Sequence, residues 1–125
     1  MENPSFVEKR AFSRFNIAIP LVYSEANSAE TILAQTYDID TEGLSIITDK
    51  QLPCGASLDI CLRMVDNDEQ IYRKGKVIWS DMLDSGKYRI GIKLEEPKLK
   101  PIPLVLRTII ARKKYKLFPS RPCLN

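Results

Sequence analysis

The sequence predicts a mainly β fold, an antiparallel barrel or sandwich of six strands, followed by one helix. Three observations carry this. Apolar residues recur with period two in short runs from Phe15 to Leu94. Clusters of turn-forming residues separate the runs at short intervals. After Pro101 the apolar period lengthens to that of a helix. Alternation sends successive strand side chains to opposite faces, so that one face can be buried while the other stays solvated.

The elements follow in order. Phe15, Ile17, Ile19, Leu21 and Tyr23 share one side of a first strand. Pro20 falls on the opposite phase and suggests an edge or a bulge there. Glu25 to Glu30 forms a turn, and Leu33, Gln35, Tyr37 and Ile39 alternate in a second strand. Asp40-Thr-Glu-Gly43 is a tight connection in which Gly43 is free to take positive φ. Leu44 to Thr48 makes a third strand, ended by Leu52-Pro-Cys-Gly55. Ala56, Leu58, Ile60, Leu62 and Met64 alternate strictly in a fourth, opposite Ser57, Asp59 and Arg63. After the polar turn Asp66-Asn-Asp68, Ile71 to Ser80 forms a fifth strand containing Val77-Ile78-Trp79. Asp84-Ser-Gly86 reads as a hairpin turn. Tyr88, Ile90, Ile92 and Leu94 complete a sixth strand, and by spacing the Lys76–Trp79 and Tyr88–Leu94 segments pack as a core hairpin. Ile102, Val105, Leu106, Ile109, Ile110 and Leu117 then form one helical stripe, expected to dock on the body, with Pro101 and Pro103 at the helix start and Pro119 beyond its end.

Composition narrows the function. A chain of 125 residues with 44% hydrophobic content fits one domain with a real core. No run approaches the roughly 18–20 apolar residues of a membrane span. The opening MENPSFVEKR carries acid and no apolar run, so no secretory signal and a cytoplasmic location are expected. Cys54, Cys61 and Cys123 are odd in number with no CxxC spacing, which predicts reduced thiols rather than a disulfide framework or a thiolate zinc site. Histidine is absent altogether. That removes Ser-His-Asp and Cys-His catalysis and imidazole metal sites. No glycine-rich phosphate loop or nucleophile elbow appears either. No catalytic residue, metal or cofactor is therefore expected.

Charge is uneven. Residues 98–125 hold eight Lys/Arg and no acid, while residues 1–97 hold the other 11 basic residues and all 16 acidic ones. The organisation expected is an N-terminal arm over 1–14, a β-barrel over 15–97 and a basic helix and tail over 98–125.

Two constellations have chemistry of their own. Arg10 and Arg14 flank Phe12 just before the first strand. A guanidinium offers a fork of donors suited to phosphate and to the acceptor edge of guanine. Asp38-Ile-Asp-Thr-Glu-Gly43 sits at the turn between strands two and three, where a carboxylate suits the N–H edge of guanine and a glycine permits close approach. Taken singly, two arginines four apart are ordinarily solvated charge, and an Asp…Gly turn ordinarily serves its own shape.

In this order the features resemble the PilZ family. Arg10 and Arg14 match its RxxxR, Asp38 and Gly43 match the ends of its [D/N]xSxxG, and Val77, Trp79, Tyr88 and Gly91 match its later strands, with Leu94 in place of the usual aromatic. The resemblance covers roughly residues 9–95. It implies a six-stranded barrel with a C-terminal helix, and a bacterial, non-catalytic receptor for the second messenger cyclic di-GMP. Arg10 and Arg14 would contact phosphate and guanine, Asp38 a guanine edge, and Gly43 would shape the turn. The arm would close over the ligand and a partner protein, not identified, would read the change. Asp40 stands where the family carries serine. A carboxylate only accepts hydrogen bonds; its charge beside a dianionic ligand costs about 1 kcal/mol, roughly tenfold in affinity, whereas facing a guanine N–H it would help to bind the ligand.

Three alternatives arise from the same residues. A PilZ-fold adaptor would bind protein and no nucleotide. A calcium loop is mimicked by Asp38, Asp40, Glu42, Gly43 and Asp49, but with Glu42 at the fifth position, no long Glu at the twelfth and strands on both flanks. The basic Arg112-Lys-Lys114 run suits nucleic acid, an anionic membrane or an acidic partner. Docking of the helix by its apolar stripe, with cations near its C-terminal dipole, argues against nucleic acid.

Overall fold

A computed structural model describes residues 14–117, with side chains to Lys114. Six strands and one helix follow in order: β1 Pro20–Glu25, β2 Ile32–Ile39, β3 Gly43–Thr48, β4 Ser57–Arg63, β5 Gln70–Met82, β6 Tyr88–Leu94 and α1 Pro101–Leu117. The strands pair antiparallel throughout and close into a barrel in the order β1-β2-β3-β6-β5-β4. Closure leaves no edge strand.

The core is built from the alternating apolar sets. Leu58, Ile60, Leu62 and Met64 of β4 and its end point inward, as do Ile90, Ile92 and Leu94 of β6 and Leu21 and Tyr23 of β1. The tyrosine hydroxyl taken into this core is matched: Tyr23 Oη hydrogen-bonds Thr48 Oγ1 at 2.8 Å. The segment before β1 runs beside β2. Phe15 bridges Ile39 through paired backbone hydrogen bonds of 2.8 and 3.0 Å. The Thr36 hydroxyl donates to the Ile17 carbonyl and accepts the Ile19 amide, so this segment is fastened at three points. Pro20, expected at an edge or bulge, is the first residue of β1 in a closed barrel, a position where its missing N–H is tolerated.

In two places the pattern misled. Leu33, Gln35 and Tyr37 are exposed on β2, while Thr36 and Asp38 are buried. β2 thus turns Thr36 inward, where it holds the incoming segment, while Asp38 is buried on the outer side beyond a register shift. The helix differs more. Its docked face is Leu104, Thr108 and Ala111, whereas Ile102, Leu106, Ile109 and Ile110 are exposed. Apolar residues lie on nearly every side of α1, so periodicity alone does not fix its rotation. Polar anchors and small residues do. Arg107 pairs with Asp66 and Glu69 at 2.9 Å each, Arg112 donates to the Ala18 carbonyl, and Thr108 returns its hydroxyl to Leu104 at 2.8 Å. Ala111 and Thr108 permit the close approach.

Candidate functional site

Two β-bulges create the site. Thr36 faces the core opposite Ile46, so strict alternation would send Asp38 inward as well. A register shift between Thr36 and Asp38 instead sets Asp38 opposite Ser45, on the outer side. Likewise Val77 is core, and a shift between Val77 and Trp79 sets Trp79 opposite Gly91. Ser45 in turn lies opposite Gly91. Asp38, Ser45, Gly91 and Trp79 thus form one cross-strand row over β2, β3, β6 and β5. Bulges commonly re-aim side chains in this way. Trp79, expected in the core hairpin, is therefore a surface-lining residue, while its neighbour Val77 packs as expected.

Asp38 stands at one end of the row and gathers its polar contacts. Its side chain is only 5% exposed, yet it is a carboxylate with three partners. Ser45 Oγ donates to Oδ1 at 2.6 Å, Arg14 Nη2 donates to Oδ1 at 3.1 Å, and Arg89 Nη2 donates to Oδ2 at 3.1 Å. Burial alone raises its pKa. The Ser45 hydrogen bond and the two guanidinium groups outweigh burial and hold the carboxyl below its ordinary value.

Arg89, on β6, was not singled out in the sequence, where it sits inside a strand expected to do no more than pack. Its guanidinium lies 4.0 Å from the Tyr37 ring centroid and 5.4 Å from that of Trp79. The β2 bulge presents Tyr37 beside Asp38 on the outer side, and the β5 bulge presents Trp79, so the two irregularities supply both aromatic neighbours. A cation over such faces is held in orientation as well as in place.

Arg14 arrives from the other side, carried by the Phe15–Ile39 bridge. It is 49% exposed and divides its guanidinium between Asp38 at 3.1 Å and Asp40 at 3.6 Å. Arg10, its partner in the sequence motif, lies outside the described residues. Asp40 has a second task. Its Oδ1 accepts the amides of Glu42 at 2.9 Å and Gly43 at 2.8 Å. The carboxylate thus caps the turn, the local job open to a serine hydroxyl at this position.

Gly43 does not need positive φ. It starts β3 in extended backbone, and its requirement is space: a Cβ there would stand 2.0 Å from the Ile92 carbonyl oxygen. Gly91 is set by the same rule from a side chain, since a Cβ would lie 2.2 Å from Trp79 Cε2. The indole therefore lies flat against a strand that has nothing there to lift it. Between Arg14 and Trp79 opens a cleft of about 280 Å³, floored by Gly43 and Gly91 and edged by Asp40, Glu42 and Lys93. A larger cleft of about 520 Å³ lies over β1, β4 and β5, beside Cys61, Tyr72 and Lys74, and contains none of the motif residues.

The carboxylates of the calcium-like pattern are each engaged by a cation of the chain. Asp38 and Asp40 face Arg14, Glu42 pairs with Lys98 at 2.9 Å, and Asp49 pairs with Lys87 at 3.2 Å. Among the described residues no cluster of three acidic, cysteine or histidine side chains is placed to hold a metal.

The family model of the PilZ domain matches residues 8–110. The chain belongs to the PilZ domain family. Solved structures agree on the fold. The Bacillus subtilis inhibitor of motility MotI/DgrA aligns with a TM-score of 0.57 at 12% identity, over 86% of this chain and 51% of that one. The K. pneumonia MrkH–c-di-GMP complex aligns at 0.54 and 17%, over 87% and 52%. The PilZ domain of YcgR from Escherichia coli, solved with c-di-GMP, aligns at 0.56 and 11%, over 90% and 98%. The chain spans about half the length of the first two. No curated protein matches it.

Proposed function

We propose that this PilZ domain binds cyclic di-GMP at a site built from Arg10, Arg14, Asp38, Asp40 and Gly43, in which Asp40 caps the turn and holds Arg14 until the ligand replaces it, and that it passes the event to a partner protein. The observation that carries the reading is the state of Arg14. It is half exposed at the lip of the cleft and is held by two carboxylates, the second at 3.6 Å. A phosphodiester is tetrahedral rather than planar, but its two non-bridging oxygens offer the same pair of anionic acceptors to a guanidinium. On binding, Arg14 exchanges Asp40 for phosphate, a swap of one charge-assisted pair for another. Asp38 keeps Ser45 and Arg89 and turns its accepting edge to a guanine. Support also comes from two solved relatives whose structures contain c-di-GMP.

At about 280 Å³, the cleft is at the low end of ligand pockets, which run from roughly 300 to 1,000 Å³. It suits one base lying against Trp79 over Gly91, with the remainder of the dinucleotide on the Arg14 side, where Arg10 and the arm over 1–14 supply contacts. The Asp38–Gly43 turn is wired onward. Leu94 N donates to the Glu42 carbonyl at 2.9 Å, and the Glu42 side chain pairs with Lys98, just before α1. Reordering at the turn thereby reaches Lys98 and the start of the helix, beside which a partner would read it. The role is recognition rather than catalysis, in the bacterial cytoplasm where this messenger acts.

The chain has a single tryptophan, Trp79, and it lines the cleft. Titration of its fluorescence with cyclic di-GMP tests the reading. A saturable change, absent with GTP at equal concentration, is expected. An unresponsive indole, with no binding by equilibrium dialysis, returns the protein to the adaptor role.

A further inference from the structure

The outward face of α1 combines two properties that soluble surfaces seldom place together. Ile102, Leu106, Ile109 and Ile110 are 59%, 53%, 40% and 55% exposed, and their spacing aligns them on one ridge. The next turn continues the ridge with exposed Lys113 and sets exposed Lys114 on its flank, while Arg112 is drawn to the Ala18 carbonyl, and Lys100 is exposed just before the helix. The helix contains no acidic residue. Among the described residues its one ion-paired cation, Arg107, is turned to the flank toward Asp66 and Glu69. Lys100, Lys113 and Lys114 have no carboxylate partner among the described residues.

Charge decides what covers this ridge. A second copy is disfavoured. An antiparallel pairing centred on Leu106 sets Ile102 against Ile110, but it drives Lys113 and Lys114 toward the partner's Lys100 and the positive end of its helix dipole. A parallel pairing stacks lysine on lysine. Four side chains also fall well short of the roughly 800 Å² per partner of a stable interface. An acidic protein groove answers the charge, yet the ridge offers no polar group besides long cations to fix a register on such a partner. An anionic lipid surface needs no register. Branched aliphatic side chains enter the boundary between headgroups and acyl chains, while lysine stems lie along it and deliver their ammonium groups to phosphates.

We propose that the exposed ridge of α1 is a peripheral contact for an anionic lipid surface, with Ile102, Leu106, Ile109 and Ile110 entering the interface and Lys113 and Lys114 meeting lipid phosphates. The contact lies on the membrane and does not cross it, since no helix among the described residues is long and apolar enough to do so.

The test is co-sedimentation of the whole chain, without nucleotide, with vesicles of phosphatidylcholine alone or with about a third phosphatidylglycerol. The anionic vesicles bind at least about tenfold more protein, as expected for two lysines near such a surface. Leu106→Asp with Ile109→Asp removes that binding. Lys113→Glu with Lys114→Glu, which removes two positive charges and adds two negative ones, lowers it more than about 30-fold on anionic vesicles only. All four positions are exposed, and circular dichroism checks that the variants fold. Equal binding to both vesicles, binding that survives the aspartates, or no binding at all overturns the proposal. So does a concentration-dependent dimer in sedimentation equilibrium that Leu106→Asp dissolves, which assigns the ridge to a second copy. Because no nucleotide is present, either result is independent of the ligand reading.

Discussion

Replacing Asp38 by alanine isolates the group on which the site is organised. Three charge-assisted hydrogen bonds disappear, to Ser45, Arg14 and Arg89. They are not equal. Arg14 is 49% exposed and regains water, so its pair is worth a surface value of about 0.5 kcal/mol. Arg89 is 30% exposed and keeps the Tyr37 face, so its loss is near 1 kcal/mol. Ser45 is fully buried and is left with a hydroxyl whose remaining side-chain neighbour is Arg89 Nε at 3.5 Å. An unsatisfied buried group of this kind costs about 1–3 kcal/mol. Together these predict a loss near 3 kcal/mol, below the cost of orphaning a fully buried charge because both arginines reach water. Urea unfolding, followed by far-UV circular dichroism, measures it. A loss under about 1 kcal/mol would refute the reasoning, since it would mean that the carboxylate is neither desolvated nor relied upon.

Acid should act through the same group. The Asp38 carboxyl is held below its ordinary 3.8, so its stabilisation is fully present above that value and fades as pH falls through the depressed folded value. The urea midpoints of the parent and Asp38→Asn should therefore differ at neutral pH and converge below about pH 3.8; a constant gap down to the acid transition would contradict this. Gly91→Ala sets a Cβ 2.2 Å from Trp79 Cε2, so the indole must lift off the strand, at about 1–3 kcal/mol. The near-UV circular dichroism of Trp79 should change with it, and an unaltered band would count against the flat seating. Asp40→Ser should leave stability within about 1 kcal/mol, since a hydroxyl can still cap the turn, and should tighten cyclic di-GMP about tenfold. A calorimetric titration showing no tightening would remove the charge penalty assigned to Asp40.

The strands were legible because one physical rule governs most of them. Leu58, Ile60 and Leu62 alternate without interruption, and so do Ile90, Ile92 and Leu94, and both sets are core. Legibility failed where an extra residue changes the phase. Nothing in Thr36-Tyr-Asp38 or Val77-Ile-Trp79 announces a bulge, because a bulge is decided by what faces the strand across the ladder. For that reason Trp79 was placed in the core and Arg89 was passed over as packing. The pairing of Arg14 with Asp38, 24 residues away, is not legible in the sequence, where the order of the motifs brings both residues only to a shared ligand. The rotation of α1 could not be read from an apolar pattern, because its decisive contacts are polar ones, from Arg107 and Arg112 to distant residues.

The central claim is that Arg14 is a ligand-binding arginine parked on carboxylates. Calorimetric titration of the protein with cyclic di-GMP, alongside Arg14→Ala, tests it most directly. The account predicts saturable binding by the parent, weakened about 30-fold by the substitution, the worth of a charge-assisted pair of about 2 kcal/mol. No binding by the parent up to about 100 μM, roughly −5.5 kcal/mol, or equal binding by both proteins, would contradict it.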